Sequence, residues 1–96
     1  MHEFPITRAA QHKPKPDPKT LSFGKVFTDH MFLMNYTPEQ GWHDGRIVPY
    51  APISLEPSAM VFHYAQEVFE GMKAYRNPEG GVQLFRPMDN VRRMND

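Results

Sequence analysis

Residues 63–76 have the sequence His-Tyr-Ala-Gln-Glu-Val-Phe-Glu-Gly-Met-Lys-Ala-Tyr-Arg, and they decide how the second half of the chain folds. The part from residue 68 to residue 76 includes β-branched and aromatic side chains, so it predicts a β-strand. Asn-Pro-Glu-Gly-Gly at residues 77–81 is typical of a turn, and Val-Gln-Leu-Phe-Arg at residues 82–86 predicts a second strand. Two strands joined by a short glycine-rich turn predict an antiparallel β-hairpin.

Short helices are predicted on both sides of this hairpin. Pro57 favours a helix start, because proline is well tolerated at the first helical position. The residues after it include an apolar stripe with spacings of three and four: Met60, Val61, Tyr64, Ala65 and Val68. After the hairpin, Pro87 ends the second strand, and Asp89 or Asn90 can cap a helix that continues towards the end of the chain.

The first half of the chain predicts one long strand and one short strand. Residues 25–36 contain β-branched, aromatic and Met side chains and neither Pro nor Gly, so they predict a strand. Because alternate residues give apolar side chains to both faces, we expect much of this strand to be covered on both sides. Residues 37–45 contain Pro and Gly and predict a loop. Residues 46–50 predict a short edge strand, because Pro49 lacks an amide hydrogen.

Residues 1–20 predict an extended arm ahead of a folded region at residues 21–96. Within the arm, residues 13–19 read Lys-Pro-Lys-Pro-Asp-Pro-Lys, so proline alternates with charge. Each proline fixes its own φ and moves the preceding residue towards extended geometry, which predicts a solvated, polyproline-like conformation. The lysines are open to two interpretations, a solvated linker or a tail that binds anions.

Composition argues against several classes of function. The 96 residues suit one small domain at most, and ten prolines and six glycines leave little room for long helices. Eleven basic and eleven acidic residues give zero net charge, which provides no long-range attraction to nucleic acid or to an anionic membrane. The chain has no cysteine, which fits a reducing cytoplasm, and no apolar run near the ~18 residues of a membrane span. Because His30, His43 and His63 lack a helical i, i+4 pair or a cysteine partner, no metal site is expected.

Four stretches together resemble branched-chain amino-acid aminotransferases, which are fold-type IV enzymes that use pyridoxal phosphate. They are Phe-Thr-Asp-His-Met at residues 27–31, Gly-Trp-His-Asp at 41–44, the stretch quoted above at 63–76, and Leu-Phe-Arg-Pro at 84–87 with residues 90–95. The stretches occur in order and with family-like spacing. The resemblance implies an α+β fold, the N-terminal portion of the family's small domain, with mainly antiparallel strands, short helices and a truncated C-terminal end.

The resemblance also implies one cofactor-binding residue and two residues of a substrate pocket. Arg93 matches the family's phosphate-binding arginine, and a guanidinium offers two parallel donors to phosphate oxygens. Tyr64 matches a tyrosine that borders the substrate pocket and reaches the neighbouring subunit's active site. Phe69 matches an aromatic residue that contacts the branched side chain, and aromatic walls suit leucine, isoleucine and valine. Without the resemblance, Arg93 would be a surface arginine beside its weaker alternative Arg92, and Phe69 would be a core residue.

Four further residues keep a structural interpretation or stay open. The family carries a pocket phenylalanine near Phe23 and Phe27, and which of the two matches it stays open, with core packing as the default. Gly71 either allows a close backbone approach or marks a bulge. Lys73 is expected to be a solvated strand residue, because the resemblance places the Schiff-base lysine well beyond residue 96, on a different domain. No catalytic residue is therefore expected in this chain.

The resemblance implies a cytoplasmic branched-chain-amino-acid transaminase that moves the amino group of leucine, isoleucine or valine to 2-oxoglutarate, forming glutamate. Branched-chain amino-acid biosynthesis and degradation both stay open, since transamination is reversible. It implies a homodimer in which the partner's small domain covers each active site. A D-amino-acid aminotransferase or an aminodeoxychorismate lyase is an alternative that resembles only the Val-Phe-Glu-Gly core and the later arginine. A non-catalytic dimerisation or binding module is an alternative of another class.

We expect the isolated 96-residue chain to have no transaminase activity, because the Schiff-base lysine implied by the resemblance is absent from residues 1–96. A coupled assay with leucine, 2-oxoglutarate and added pyridoxal phosphate measures this activity, with a protein-free reaction as the control. Turnover above that control would contradict our placement of the catalytic residues.

Overall fold

Two antiparallel hairpins organise the chain, one in each of two compact units. The computed structural model describes residues 3–96. One unit extends to Ile53, and the other runs from Ser54 to Asp96. The first unit contains strand β1 at His30–Thr37 and strand β2 at Gly41–Pro49, which pair with each other.

The second unit contains a shorter hairpin followed by one helix. Strand β3 at Ala74–Arg76 pairs with strand β4 at Val82–Leu84, and helix α1 occupies Pro87–Asn95. Short 3-10 turns lie at Pro18–Thr20 in the first unit and at Met60–Phe62 in the second. These elements are consistent with an α+β fold. Within residues 3–96, none of the helices has the length and apolar character needed to cross a membrane.

The first hairpin confirms the predicted strands only in part. The strand predicted at 25–36 begins at His30, and its first five positions lie outside β1. The loop predicted at 37–45 is wrong in its second half, because β2 already begins at Gly41. The edge strand predicted at 46–50 is confirmed as the end of β2, in a sheet of two strands where both are edges.

A tight connection explains why β2 begins so early. Thr37 pairs with Gly41, so only three residues separate the strands, and Gly41 has a positive φ of 67° that glycine adopts without steric cost. Tyr36 and Trp42 then pack edge to face across the strands with their ring centroids 5.2 Å apart. Aromatic pairs of this kind stabilise a hairpin close to its turn, which outweighs the loop-forming composition of residues 37–45.

The expectation that β1 is covered on both faces is wrong. Each β1 side chain is half-buried or exposed, and Phe32 and Tyr36 keep 51% and 59% of their surface accessible. No apolar side chain in the described part of the chain is buried. The accessible surface of 9507 Å² exceeds the about 5,700 Å² expected for a folded monomer of this mass. Apolar surface therefore stays available on both units.

The arm lies along β2 and is held there by backbone hydrogen bonds. Ile6 forms a parallel bridge with Ile47, since the Thr7 amide donates to the Ile47 carbonyl and the Ile47 amide donates to the Pro5 carbonyl, both over 2.9 Å. Phe4 packs edge to face on Phe32 with the ring centroids 5.1 Å apart. The arm is extended and exposed, as its prolines predict, and it also adds strand-like pairing to the first hairpin.

A polar network attaches the arm at a second place, just before β1. The Lys13 amide donates to Asp29 Oδ1 over 3.0 Å, and His12 Nδ1 lies 3.1 Å from Asp29 Oδ2. The Ala9 amide donates to His30 Nε2 over 3.0 Å. The Lys13 hydrogen bond, followed by the contact with His12, lowers the pKa of Asp29. Asp29 is therefore ionised at neutral pH and acts as the acceptor that holds the arm.

In the second unit the hairpin prediction is confirmed in part, because β3 begins at Ala74 and not at residue 68, and β4 ends at Leu84 and not at residue 86. The helix predicted from Pro57 is wrong. Asn77 closes the turn, because its Oδ1 accepts hydrogen bonds from the amides of Glu79 and Gly81 at 3.1 and 2.7 Å. Upstream, only a 3-10 turn forms, and the backbone leaves helical geometry at Ala65, which has a φ of 51°. The apolar stripe cannot sustain a helix here, since no other element of this unit buries it.

Helix α1 begins earlier than the predicted capping residues. Pro87 is its first residue, and Arg86 precedes it in a left-handed conformation with a φ of 46°. The prediction that Asp89 or Asn90 caps the helix is therefore wrong. Asp89 instead accepts from Arg86 Nε over 2.6 Å and from Arg92 Nη1 over 2.9 Å, so its carboxylate pairs with one cation just before α1 and one in the last turn of α1.

Substitution of Gly45, the one buried residue among positions 3–96, should loosen the arm. A methyl group at Gly45 would lie 2.6 Å from Phe4 Cε1 and 2.8 Å from Met34 Cε, so Gly45→Ala must displace the Phe4 ring. We expect a loss of roughly 1–3 kcal/mol in the free energy of unfolding, as for other overpacked sites. Urea denaturation followed by Trp42 fluorescence measures it.

Two variants serve as controls for this substitution: Phe4→Ala alone, and Phe4→Ala combined with Gly45→Ala. Without the ring, the added methyl group meets less steric resistance, so the two changes should be strongly non-additive. Additive losses, or a Gly45→Ala variant as stable as the unsubstituted chain, would show that Phe4 does not cover Gly45.

Candidate functional site

The candidate site is centred on Arg93, in the last turn of α1. Its Nε donates to Glu70 Oε2 over 2.7 Å, and its Nη2 donates to Glu70 Oε1. The two parallel hydrogen bonds match a planar guanidinium to a planar carboxylate, which is the strongest geometry available to an ion pair. The Arg93 side chain nonetheless keeps 69% of its surface accessible.

Glu70 is held in place by groups on both sides of it. Its side chain is only 12% exposed, and Oε1 also accepts from the Gly71 amide over 3.0 Å and from Asn90 Nδ2 over 3.3 Å. Asn90 Nδ2 donates in addition to the Gly71 carbonyl over 2.6 Å. Asn90 and Arg93 lie three positions apart on α1, so one face of the helix is tied to the segment ahead of β3.

Electrostatics keeps both members of the pair charged. The hydrogen bond from Arg93 is the largest of the effects that lower the pKa of Glu70 to about 2, and the same bond raises the pKa of Arg93. Close by, the Asp89 carboxylate lies between Arg86 and Arg92. A third carboxylate, Glu67, lines the cleft beside Arg93, so three guanidinium groups and three carboxylates balance in this part of the second unit.

The structure brings Phe69 and Arg93 to one open cleft. This cleft has a volume of about 600 Å³, and its other lining residues are Glu67, Val68, Glu70, Gly71 and Met94. Phe69 is 96% exposed, so the interpretation of Phe69 as a core residue does not hold within the described chain. An apolar ring and a cation at one cleft suit a ligand with an apolar part and an anionic part.

Tyr64 is 74% exposed and is not among the residues that line this cleft. Its role at a substrate pocket stays a prediction. Arg92, the weaker candidate for anion binding, bonds to Asp89 through Nη1 only. Lys73 is exposed just before β3, in agreement with a solvated lysine.

The two phenylalanines of the first unit differ in their surroundings. Phe23 is fully exposed, whereas Phe27 stacks on Tyr50 with the ring centroids 5.7 Å apart. Neither is buried, so the core packing expected by default for both is wrong within the described residues. Neither observation decides which of them matches the family's pocket phenylalanine.

The three histidines considered as metal ligands are engaged in hydrogen bonds. His30 Nε2 accepts from an arm amide, His43 Nδ1 donates to the Gly41 carbonyl over 2.9 Å, and His63 Nε2 donates to the Pro57 carbonyl over 2.8 Å. No group of three or more metal-binding side chains occurs within residues 3–96.

Sequence reasoning missed Glu70 and Asn90. Glu70 is part of the Val-Phe-Glu-Gly core, but it stands 23 positions before Arg93, too far for any local periodicity to relate the two. The sequence predicts Asp89 or Asn90 as a helix cap, since short polar residues near a helix start usually have that function. The only sequence signal for Glu70 is a carboxylate next to a glycine, and this signal does not indicate which residue pairs with the carboxylate.

The chain is similar over most of its length to known aminotransferases. It is 60% identical over 83 residues to branched-chain-amino-acid aminotransferase 2 of Bacillus subtilis, covering 86% of this chain and 23% of that protein. It is 56% identical over 88 residues to branched-chain-amino-acid transaminase 1 of the same organism, covering 92% and 25%. It is 55% identical over 86 residues to the cytosolic branched-chain-amino-acid aminotransferase of Saccharomyces cerevisiae, covering 88% and 23%. The chain thus spans about a quarter of the length of these relatives. No protein-family model matches it.

The Glu70–Arg93 pair predicts a specific dependence of stability on pH. The pKa of Glu70 is about 2 in the folded chain, against an ordinary value of 4.5 that applies after unfolding. Its contribution to stability is therefore complete above about pH 4.5 and is lost as the pH falls towards 2. We expect the difference in unfolding free energy between the chain and Glu70→Gln to shrink over this window. Denaturation at a series of pH values measures that difference.

Glu79→Gln is the matched control for this experiment. It removes the same charge from the second unit, but the Glu79 carboxylate has no ion-pair partner among residues 3–96. The control should leave the acid dependence of the chain unchanged. A difference between the chain and Glu70→Gln that stays constant from pH 6 to 2 would contradict the pairing.

Proposed function

Since this chain belongs to the branched-chain-amino-acid aminotransferase family, we propose that it contributes the cofactor-phosphate anchor and part of the substrate pocket to such an enzyme. The enzyme transfers the amino group of leucine, isoleucine or valine to 2-oxoglutarate with pyridoxal phosphate. The observation that carries the proposal is the identity of 55–60% over 83 to 88 residues to three named aminotransferases. Their names favour the branched-chain group over D-amino-acid aminotransferases and aminodeoxychorismate lyases.

The groups around Arg93 fit the phosphate of pyridoxal phosphate. Glu70 engages Nε and Nη2 of Arg93, and a guanidinium carries further N–H donors on both Nη atoms. The Arg93 side chain is exposed, so these donors are open to a ligand. A phosphate dianion can therefore receive charged hydrogen bonds without displacing Glu70. When bound, pyridoxal phosphate carries the amino group between the two substrates.

Phe69 and Tyr64 supply the surface for the substrate in this proposal. The accessible Phe69 ring offers apolar area beside Arg93, which suits the side chain of leucine, isoleucine or valine. The Tyr64 hydroxyl can orient the polar part that all substrates share. Exposed apolar side chains in both units are consistent with a homodimer, and the yeast relative named cytosolic supports a cytoplasmic enzyme. Light scattering on the chimera described next checks the dimer.

A chimera tests the anchor. The chain replaces the matching segment of branched-chain-amino-acid aminotransferase 2 of Bacillus subtilis, so that the remainder of an enzyme is present. In this chimera Arg93→Ala should weaken the binding of pyridoxal phosphate by roughly 1.5–3 kcal/mol, the contribution of charged hydrogen bonds. Arg92→Ala is the matched control and should have a smaller effect, because Arg92 does not line the cleft that contains Phe69 and Arg93. Cofactor titration followed by absorbance that gave equal affinities for Arg93→Ala and the unsubstituted chimera would refute the assignment.

Phe69→Ala in the same chimera tests the pocket. Removing the ring should reduce kcat/KM for leucine about ten-fold to hundred-fold relative to glutamate, because only the branched substrate uses the lost contact area. Tyr64→Phe, which keeps the ring and removes the hydroxyl, should affect both substrates alike. Steady-state kinetics with both amino acids measures the ratio, and thermal melts of the same variants control for folding. An unchanged leucine-to-glutamate ratio in Phe69→Ala would place the pocket elsewhere.

A further inference from the structure

The orientation of the Arg93 guanidinium follows from which of its atoms Glu70 engages. A guanidinium has one side edge, made by Nε and one Nη atom, and one end edge, made by the two Nη atoms. Glu70 occupies the side edge through Nε and Nη2. The end edge, with one N–H from Nη1 and one from Nη2 in parallel, faces away from Glu70. An anion can therefore bind at the end edge while Glu70 remains bound.

Glu70 is itself fixed before any ligand arrives. It is largely buried, and the Gly71 amide and the Asn90 amide group both donate to Oε1. An arginine side chain has many rotamers, and an exposed arginine must give up that freedom when it binds an anion. A carboxylate that holds the guanidinium plane beforehand removes most of this cost from the binding step.

The comparison with the neighbouring arginines sets Arg93 apart. Arg86 meets Asp89 through Nε, and Arg92 meets the other oxygen of the same carboxylate through Nη1. Each of these guanidinium groups is held at one point and can rotate about it. Arg93 alone among the three has a carboxylate on two of its nitrogens, so only its end edge has a defined direction.

The geometry points to Glu70 as a positioning residue: it holds the Arg93 guanidinium so that the end edge binds the phosphate of the cofactor. The inference rests on the proposed function and adds a residue that acts through Arg93. In this role Glu70 does not contact the phosphate. Asn90 acts more indirectly still, because it helps to hold Glu70 in place. Two other roles are open to a carboxylate at this place. It could tie α1 to the hairpin without any effect on the ligand, or it could compete with the phosphate for Arg93.

Binding of two ligands to the chimera separates these roles. Pyridoxal phosphate and phosphate-free pyridoxal differ only in the group that Arg93 is proposed to bind. In Glu70→Gln the affinity for pyridoxal phosphate should fall about ten-fold, the order expected for one charged hydrogen bond, while the affinity for pyridoxal should stay within about two-fold. Glu79→Gln should change neither affinity. In an Arg93→Ala background, Glu70→Gln should have no further effect, because Glu70 acts through that side chain.

Each alternative outcome overturns the inference in a recognisable way. If Glu70→Gln lost equal affinity for both ligands and had a lower melting temperature, Glu70 would have only a structural role. Unchanged or tighter binding of pyridoxal phosphate would show that Glu70 has no influence or competes with the phosphate. If Glu70→Gln does not fold, Asn90→Ala should give a smaller loss confined to pyridoxal phosphate, and an equal loss for both ligands would refute the inference. An unsubstituted chimera that binds no pyridoxal phosphate would refute the proposed function, and the role of Glu70 would fall with it.

Discussion

The ion pair between Glu70 and Arg93 is the interaction on which the second unit depends. No apolar side chain of the described residues is buried, so the segment ahead of β3 and helix α1 are not joined by a hydrophobic core. They are joined by the two hydrogen bonds of the ion pair and by the Asn90 side chain. Helix α1 has only nine residues and would be marginal alone, so contacts of this kind decide whether it persists. The same contacts set the direction of the exposed guanidinium.

In the first unit, pairing between backbone segments holds the elements together, as the ion pair does in the second unit. The β1–β2 hairpin receives a third extended segment from the arm, through the bridge between Ile6 and Ile47. Gly45 permits this approach, because the Phe4 ring occupies the space that a side chain at that position would need. Asp29 holds the arm again nearer to β1. Polar contacts and close packing at one glycine thus stabilise this unit, as a hydrophobic core stabilises larger domains.

The exposed apolar side chains connect this architecture with the proposed function. Phe69 and Tyr64 are largely accessible, and so are many other aromatic and aliphatic residues in both units. Surface of this extent is unusual for a soluble monomer and is typical of chains that pack against further protein. The chain spans about a quarter of the length of its aminotransferase relatives, whose remaining length is ample to cover such surface. Under the proposed function, a pocket wall formed by Phe69 would be completed by protein that packs against this surface.

The sequence by itself determined the family, the second hairpin, the existence of strands near residues 30 and 47, and the candidacy of Arg93. Those features depend on local signals, such as the Asn-Pro-Glu-Gly-Gly turn, or on a residue-by-residue match to the family. Tertiary structure decided the features that depend on distant partners. The stripe from Met60 to Val68 does not form a helix, because helix formation needs an apolar partner surface that this unit does not provide. Glu70 pairs with Arg93 across 23 positions, and Ile6 pairs with Ile47 across a still longer separation, because folding brings these groups together and no periodicity in the sequence records it.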